Sequence, residues 1–154
     1  MCYNELGGKM KFVAKYFSEL TLSQLYEILK SRSEIFIMEQ NMHCQDIDGV
    51  DHSSRHLFLE DGGRVVAYLR AFYDSNDKNI VRIGRVLTTT HGIGLGAKLM
   101  NKSIEDIKAN FKCTKICLDS QKHAVDFYEK FGFKAVSDEF LEENVIHIAM
   151  ELEL

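Results

Sequence analysis

The chain has 154 residues, of which 45% are hydrophobic and 27% charged, and its formal net charge is −4. These values are typical of one globular domain with a core of useful size. No basic cluster suggests nucleic acid as a partner, and no apolar run approaches the roughly 20 residues of a membrane-spanning helix. The first residues lack the pattern of a secretory signal, so we expect a cytoplasmic protein whose four cysteines stay reduced.

The first part of the chain predicts a strand followed by a helix. Residues 1–10 are expected to form a flexible leader, and alternating apolar residues over 11–17 predict the first strand. Thr21-Leu22-Ser23-Gln24 matches a capping box, and apolar residues at helical spacing continue to about Met38. The segment 40–55 is polar and irregular, so we expect a loop there.

The middle of the chain predicts antiparallel strands. Asp61-Gly62-Gly63 is typical of a tight hairpin turn, and it joins strands predicted over residues 56–60 and 64–73. A second turn, Asp74-Ser75-Asn76-Asp77, leads into a strand over residues 80–87.

The C-terminal part of the chain alternates helices and strands. In order, the pattern predicts a helix over 95–111, a strand over 115–118, a helix over 124–131 that Gly132 ends, and strands over 133–136 and 146–152. The whole order is β-α-β-β-β-α-β-α-β-β. It predicts one α/β (α+β) domain over residues 11–154, with a single mixed, mostly antiparallel sheet flanked by helices.

One segment joins the end of an apolar strand to three alternating glycines and the start of a helix. Arg85-Val86-Leu87 ends the strand, and Gly92, Gly94 and Gly96 precede the helix. Glycine permits a tight turn that exposes backbone N–H groups, and the N-terminus of a helix adds partial positive charge. The segment therefore predicts a site for a phosphate or pyrophosphate group.

The same glycines formally match the dinucleotide fingerprint G-x-G-x-x-G/A over residues 92–97, with Asp119 downstream. That fingerprint normally lies in the first βαβ unit of a doubly wound sheet, whereas about ninety residues precede it here. A dinucleotide-binding protein is therefore the weaker alternative.

Two blocks of sequence together resemble the GCN5-related N-acetyltransferases. The segment His91-Gly92-Ile93-Gly94-Leu95-Gly96 is similar to the family's acyl-CoA loop, with His91 where Arg or Gln is usual. The segment from Gln121 to Phe133 is similar to the family's Ala-x-x-Phe-Tyr-x-x-x-Gly-Phe block. More narrowly, Arg32, Glu39-Gln40, the segment 45–51 and Ile146-His147-Ile148-x-Met150 resemble the ElaA-like subgroup.

This resemblance implies an acyl-CoA N-acyltransferase fold and an enzyme that moves an acetyl group from acetyl-CoA to an amine, without a metal. The residues expected to hold acetyl-CoA are Arg85, Val86, Leu87, His91, Gly92, Ile93, Gly94, Leu95, Gly96, Ala97, Gln121 and Phe127. A backbone N–H near Val86 is the candidate oxyanion donor, and Tyr128 is by resemblance the general acid for the departing thiolate.

The acceptor side is less determined by the sequence. Glu39 and His147 are candidates for the base or for amine recognition, with water as a further base. Arg32, Gln40, Asp46 and Asp48 are expected at the acceptor site, where the aspartates could attract a cationic amine. The acceptor is expected to be a small-molecule or peptide amine, and a homodimer is possible. A non-catalytic acyl-CoA-binding sensor with the same fold remains the main alternative.

Overall fold

The structure, a computed structural model, describes residues 10–154, which form one eight-stranded sheet with helices on both faces. The elements are β1 (Met10–Tyr16), α1 (Leu22–Arg32), β2 (Arg55–Asp61), β3 (Arg64–Tyr73), β4 (Ile80–Thr88), α2 (Leu95–Asn110), β5 (Lys115–Gln121), α3 (Val125–Glu129), β6 (Lys134–Ala135), β7 (Phe140–Glu142) and β8 (Val145–Glu153). The strand order is β1-β2-β3-β4-β5-β8-β6, and β7 also pairs with β8. β4 and β5 run parallel, whereas the other neighbours are antiparallel.

The two faces of the sheet bury two apolar clusters because side chains alternate along each strand. On one face Leu57 and Leu69 belong to the larger cluster, which includes residues of α2 and α3. On the other face Phe58 and Tyr68 pack with Ile28 of α1 in a smaller cluster. Each strand in the centre of the sheet is therefore covered on both sides, which fixes its register.

α1 begins at the predicted capping box and ends in an unusual segment. Thr21 Oγ1 accepts a hydrogen bond from the Gln24 N–H at 3.0 Å, and the Gln24 side chain accepts one from the Thr21 N–H at 3.1 Å. The helix then passes directly into a π-helix over Ser33–Glu39. Asn41, at φ +52°, has the left-handed conformation that stops helical growth. Short π-helical segments are frequent at functional sites.

β4 and β5 separate part-way along their length. Their pairing is confined to Ile80–Arg82 against Lys115–Cys117. Further along, β4 carries a bulge, because Arg85 and Val86 together lie opposite one residue of β3. Arg85 has φ +56°, a conformation that costs an L-residue about 1–2 kcal/mol. The separation leaves the facing edges of both strands unpaired beyond Arg82, and an open cleft lies between them.

The C-terminal part of the structure differs from the predicted elements in two places. It adds the short strand β7, which a two-residue turn at Glu143 and Asn144 joins to β8. The helix predicted over 124–131 is divided into a 3₁₀ turn over Lys122–Ala124 and α3. The leader predicted over residues 1–10 lies outside the described residues except for Met10, which begins β1. Within residues 10–154, no helix has the length and hydropathy needed to cross a bilayer.

Candidate active site

The cleft between β4 and β5 has a volume of about 1010 Å³. Its walls come from the C-terminal half of β4, the glycine loop over residues 89–94, the end of β5, the start of α3, the loop over residues 40–48 and the β7–β8 hairpin. Most of the predicted site residues line it: Gln40, Asp46, Asp48, Arg85, Val86, Leu87, His91, Gly92, Gly94, Leu95, Gly96, Ala97, Gln121, Phe127, Tyr128 and His147. Arg32, Glu39 and Ile93 do not line it.

The glycine loop presents free backbone donors to one end of the cleft. Gly92 and Gly94 have φ of +78° and +81°, which side chains rarely adopt, and Gly94 caps the N-terminus of α2. The N–H groups of residues 91–97 donate to no acceptor in the described part of the chain. Because these donors converge with the positive end of the α2 dipole, the loop can bind an anion such as a pyrophosphate.

Gly96 brings α2 close to the aromatic residues of α3. A Cβ at Gly96 would lie 3.2 Å from the ring of Phe127, closer than most real Cβ contacts. Glycine here allows α2 to approach α3, so the loop and Phe127 share one wall of the cleft.

Tyr128 lies on the same wall and is almost fully buried, with 7% of its surface exposed. Its ring packs edge-on against Phe127 at 5.1 Å and Phe133 at 5.9 Å between centroids. Burial raises the pKa of its hydroxyl, which therefore stays protonated at neutral pH. The hydroxyl makes no hydrogen bond to any residue in 10–154, so it is free to donate to a group in the cleft.

His147 lines the cleft from β8 and is 5% exposed. Its Nδ1–H donates to the Val145 carbonyl at 2.8 Å, which assigns the proton of the neutral ring to Nδ1. Its Nε2 lies 3.8 Å from Glu142 Oε2, beyond hydrogen-bond distance. Phe140 stacks on the ring and holds its orientation. The neutral ring can therefore accept a proton at Nε2.

Glu39 and Gln40 lie at the rim, where the π-helix meets the two edges of the cleft. Glu39 Oε1 is 3.3 Å from His91 Nε2 in the glycine loop, and both side chains are more than half exposed. Gln121 Nε2 donates to Gln40 Oε1 at 3.1 Å, which connects β5 to the end of the π-helix. Glu39 therefore contacts the loop rather than the interior of the cleft.

Arg32 is completely buried and holds the loop over residues 40–55 in place. Its guanidinium bonds to Asp46 Oδ2 at 3.0 Å, the Asp46 carbonyl at 2.7 Å and Asp51 Oδ1 at 2.7 Å. Burial alone raises the pKa of Asp51, but the hydrogen bonds from Arg32 and Arg70 outweigh it and leave that pKa below its ordinary value. The backbone of this loop is irregular, but its hydrogen bonds to the buried Arg32 guanidinium hold it in position.

Arg70 and Arg85 bind further carboxylate oxygens of Asp46 and Asp48 in the same loop. The Arg70 guanidinium donates to Asp48 through two hydrogen bonds, from Nη1 to Oδ1 at 2.8 Å and from Nη2 to Oδ2 at 2.6 Å. These bonds strongly lower the pKa of the Asp48 carboxyl. Arg85 bonds Asp46 Oδ1 at 2.8 Å and lies 3.3 Å from Asp48 Oδ2. Both predicted acceptor-binding aspartates are thus engaged by arginines, and their contact with a substrate stays a prediction.

Sequence reasoning did not single out Arg70 or Glu142. Arg70 is a charged residue inside the otherwise apolar run of β3, and such a residue indicates a buried partner. Glu142 belongs to a strand that was not predicted.

Cys44, Cys113 and Cys117 are free thiols, and the described residues contain no group of three or more side chains suited to a metal ion.

A sequence profile of the acetyltransferase (GNAT) domain matches residues 17–154. The chain belongs to the GNAT acetyltransferase family. A UPF0039 protein of Schizosaccharomyces pombe is 37% identical over 151 residues, which cover 96% of this chain and 99% of that protein. Protein ElaA of Escherichia coli is 36% identical over 143 residues, which cover 90% of this chain and 94% of ElaA.

Solved structures agree with this assignment. The crystal structure of Escherichia coli ElaA has a TM-score of 0.87 at 34% identity and covers 94% of this chain and 99% of its own. An acyl-CoA N-acyltransferase from Pseudomonas aeruginosa has a TM-score of 0.86 at 33% identity, covering 92% and 98%. The predicted fold class and the resemblance to ElaA are confirmed, and the chain is an acyltransferase of a family that uses acyl-CoA.

Proposed function

We propose that the protein transfers an acetyl group from acetyl-CoA to an amine by direct attack. The observation that carries this proposal is the cleft itself: two parallel strands separate, and a loop of free N–H groups closes one end of the gap. A pyrophosphate suits the loop, and an extended amide-rich arm suits the unpaired strand edge beside it. Acetyl-CoA carries both groups in that order.

The donor would lie along β4. Its pyrophosphate would bind the N–H groups of residues 91–97, and its pantetheine arm would pair with the backbone of Val86 and Leu87, as an added strand does. Gln121 and Phe127 face this path from β5 and α3. The bulge at Arg85 interrupts the β3–β4 ladder beside Val86, which lines the cleft, and this favours the Val86 N–H as donor to the thioester oxygen.

The reaction would need one base and one acid. The amine nitrogen attacks the thioester carbon, a C–N bond forms, and the C–S bond then breaks. Tyr128 would give its proton to the departing thiolate, the base would take one proton from the attacking nitrogen, and exchange with solvent would restore both groups. His147 is favoured as the base over Glu39 because its Nε2 is unpartnered inside the cleft, whereas Glu39 contacts His91 at the rim.

The acceptor class proposed is a small-molecule or peptide amine, and a cytoplasmic location and a homodimer stay predictions. The dinucleotide alternative loses its structural basis, because β4 lies in a mostly antiparallel sheet rather than in a doubly wound one. A non-catalytic acyl-CoA sensor differs from the enzyme in one measurable property, which is turnover.

Thiol release from acetyl-CoA, followed with a panel of amines, tests this proposal. We expect amine-dependent release, with one acetylated amine formed for each thiol. Gly94→Val, which places a β-branched residue at φ +81°, should abolish it. Binding of acetyl-CoA without turnover on any amine in the panel would favour the sensor, and stronger binding of NADH than of CoA would overturn the donor assignment.

A further inference from the structure

Charged side chains beside the cleft form a closed ring of ion pairs. Each arginine in the ring contacts two aspartates, and each aspartate contacts two arginines. The order around the ring is Arg32, Asp51, Arg70, Asp48, Arg85, Asp46 and back to Arg32. Positive and negative charges are therefore equal in number. The ring offers no net charge to a substrate, but its hydrogen bonds fix the orientation of its side chains.

Arg70 has unused hydrogen-bond donors although it is only 3% exposed. An arginine carries five N–H groups in one plane. Nη1 donates to Asp48 at 2.8 Å and to Asp51 at 3.0 Å, and Nη2 donates to the other Asp48 oxygen at 2.6 Å. The Nε–H, which has no partner in residues 10–154, and the second N–H of Nη2 are left on one edge of the guanidinium. A buried polar atom without a partner normally has an explanation.

Gly84, the residue of β4 opposite Arg70, leaves a hollow beside these donors. A Cβ at Gly84 would lie 3.8 Å from Arg70 Nε and 3.9 Å from the ring of Phe72, which are ordinary contact distances. The left-handed φ of the neighbouring bulge belongs to Arg85 and not to Gly84. Neither packing nor backbone conformation therefore requires a glycine here. A glycine inside a strand often marks the close approach of a ligand.

The hollow opens into the cleft beside the position proposed for the thioester. Arg70, Phe72 and Gly84 all line the cleft, and the Arg70 guanidinium lies 5.6 Å from the centre of the half-buried Phe72 ring. Gly84 is two residues before Val86, at most about 7 Å along an extended strand. An acceptor whose nitrogen reaches the thioester at Val86 therefore has its next few atoms over Gly84.

We propose that Arg70 Nε and Gly84 form a subsite for a neutral carbonyl oxygen of the acceptor, which is an α-amino amide such as an amino-acid amide or the N-terminus of a peptide. Such an amide separates its nitrogen from its oxygen by only three bonds. A neutral oxygen fits because the ring is already balanced, and a carboxylate would bring an extra negative charge close to Asp48 and Asp51. The inference rests on the proposed function, because the nitrogen must lie beside the bound thioester.

Alaninamide and 3-methylbutan-2-amine are suitable probes, because an isopropyl group in the second replaces the carboxamide of the first. Arg70→Lys keeps the positive charge beside Asp48 and Asp51 and removes the Nε–H. The KM for alaninamide should rise about 10–100-fold, because a hydrogen bond from a charged donor is lost, whereas kcat should change by less than about threefold. The KM for the alkylamine and the Kd for acetyl-CoA should also change by less than about threefold. Comparing each amine only with itself cancels the difference in basicity between them.

Arg32→Lys is the matched control, because Arg32 binds the same loop but does not line the cleft. It should lower stability and change the kinetics of both amines by the same factor. An equal loss confined to alaninamide in Arg32→Lys would assign the effect to the loop and overturn the subsite.

Gly84→Ala tests the hollow without touching the ring. The added methyl group makes only ordinary contacts, so the melting temperature should not fall. The methyl group occupies the hollow, so the KM for alaninamide should rise about tenfold or more. An unchanged KM in a folded Gly84→Ala protein would overturn the subsite.

Two further measurements define the ligand and separate this inference from the proposed function. Better use of alanine than of alaninamide would overturn the neutral oxygen, and turnover of alanylalanine amide would assign the carbonyl to a peptide rather than to an amino-acid amide. Calorimetry measures binding of alaninamide to the CoA-bound protein. Binding that depends on Arg70 but gives no turnover refutes the transferase and keeps the subsite. Absence of binding, or turnover of both amines without an alaninamide-specific loss in Arg70→Lys, refutes the subsite.

Discussion

Replacing Tyr128 with phenylalanine tests the chemical step with little disturbance of the fold. The ring contacts Phe127 and Phe133, and a phenylalanine ring keeps both contacts. The hydroxyl bonds to no residue of the described chain, so its removal leaves no buried partner unsatisfied. We therefore expect the free energy of unfolding to change by less than about 0.5 kcal/mol.

The effect on catalysis should be much larger than the effect on stability. Loss of a general acid typically costs about 10²–10⁴-fold in rate. A thiol with a pKa near ~8.5 is already a fair leaving group, which favours the lower end. A loss of about 10²-fold in kcat corresponds to about 2.7 kcal/mol of transition-state stabilisation. Because burial raises the pKa of the Tyr128 hydroxyl, the residue is protonated throughout the neutral range, and we expect it to add no titration of its own to the pH profile of kcat.

Steady-state thiol release, with an amine that the panel shows to be acetylated, measures this loss, and KM values for both substrates should change little. Tyr68→Phe is the matched control, because Tyr68 is a buried tyrosine outside the cleft whose hydroxyl lies 2.7 Å from His56 Nδ1. It should lower the melting temperature and leave kcat nearly unchanged. Full activity in a folded Tyr128→Phe protein would refute the acid role and leave water to protonate the thiolate.

Three further predictions concern the buried charges and the glycine loop. Asp51→Asn should lower stability by about 3–5 kcal/mol, or roughly 6–20 °C in melting temperature, because Arg32 and Arg70 lose their shared carboxylate; a shift below about 3 °C contradicts this. CoA at hundredfold excess over Kd should stabilise the wild type by about 2.7 kcal/mol, and a folded Gly94→Val protein that keeps this shift contradicts the loop assignment. The fold lowers the pKa of Asp48 and Asp51, so the stability they contribute is present above their unfolded pKa of ~3.9 and is lost as the pH falls below it; melting temperatures that stay constant from pH 5 to pH 3 would contradict this.

Local signals in the sequence predicted most of the fold. The capping box at Thr21 and the glycines at 62 and 63 act through neighbouring residues, and the structure confirms the helix start and the hairpin they predict. The loop before α2 was also predictable, because glycine spacing and a following helix are both local. Such features depend on backbone geometry within a few residues, which the chain itself specifies.

Features that depend on distant residues were not predictable in the same way. Arg70 is 22 residues from Asp48 in sequence, and no spacing rule connects them. β7 has three residues and no glycine in its turn, so its pattern is too short to distinguish from a loop. The acidic residues of the loop over 40–55 appeared open to a cationic substrate because the arginines that bind them come from α1, β3 and β4.

The arginine contacts explain how β4 tolerates the strained backbone at Arg85. Arg85 adopts φ +56° at the bulge of β4 beside the cleft, and this conformation is unfavourable by itself. Its guanidinium bonds Asp46, whose other oxygen bonds the fully buried Arg32. The charged contact offsets the backbone strain, since hydrogen bonds to charged groups contribute about 1.5–3 kcal/mol. The loop over residues 40–55 therefore stabilises the bulged geometry of β4 at the edge of the cleft, where we propose that acyl-CoA binds.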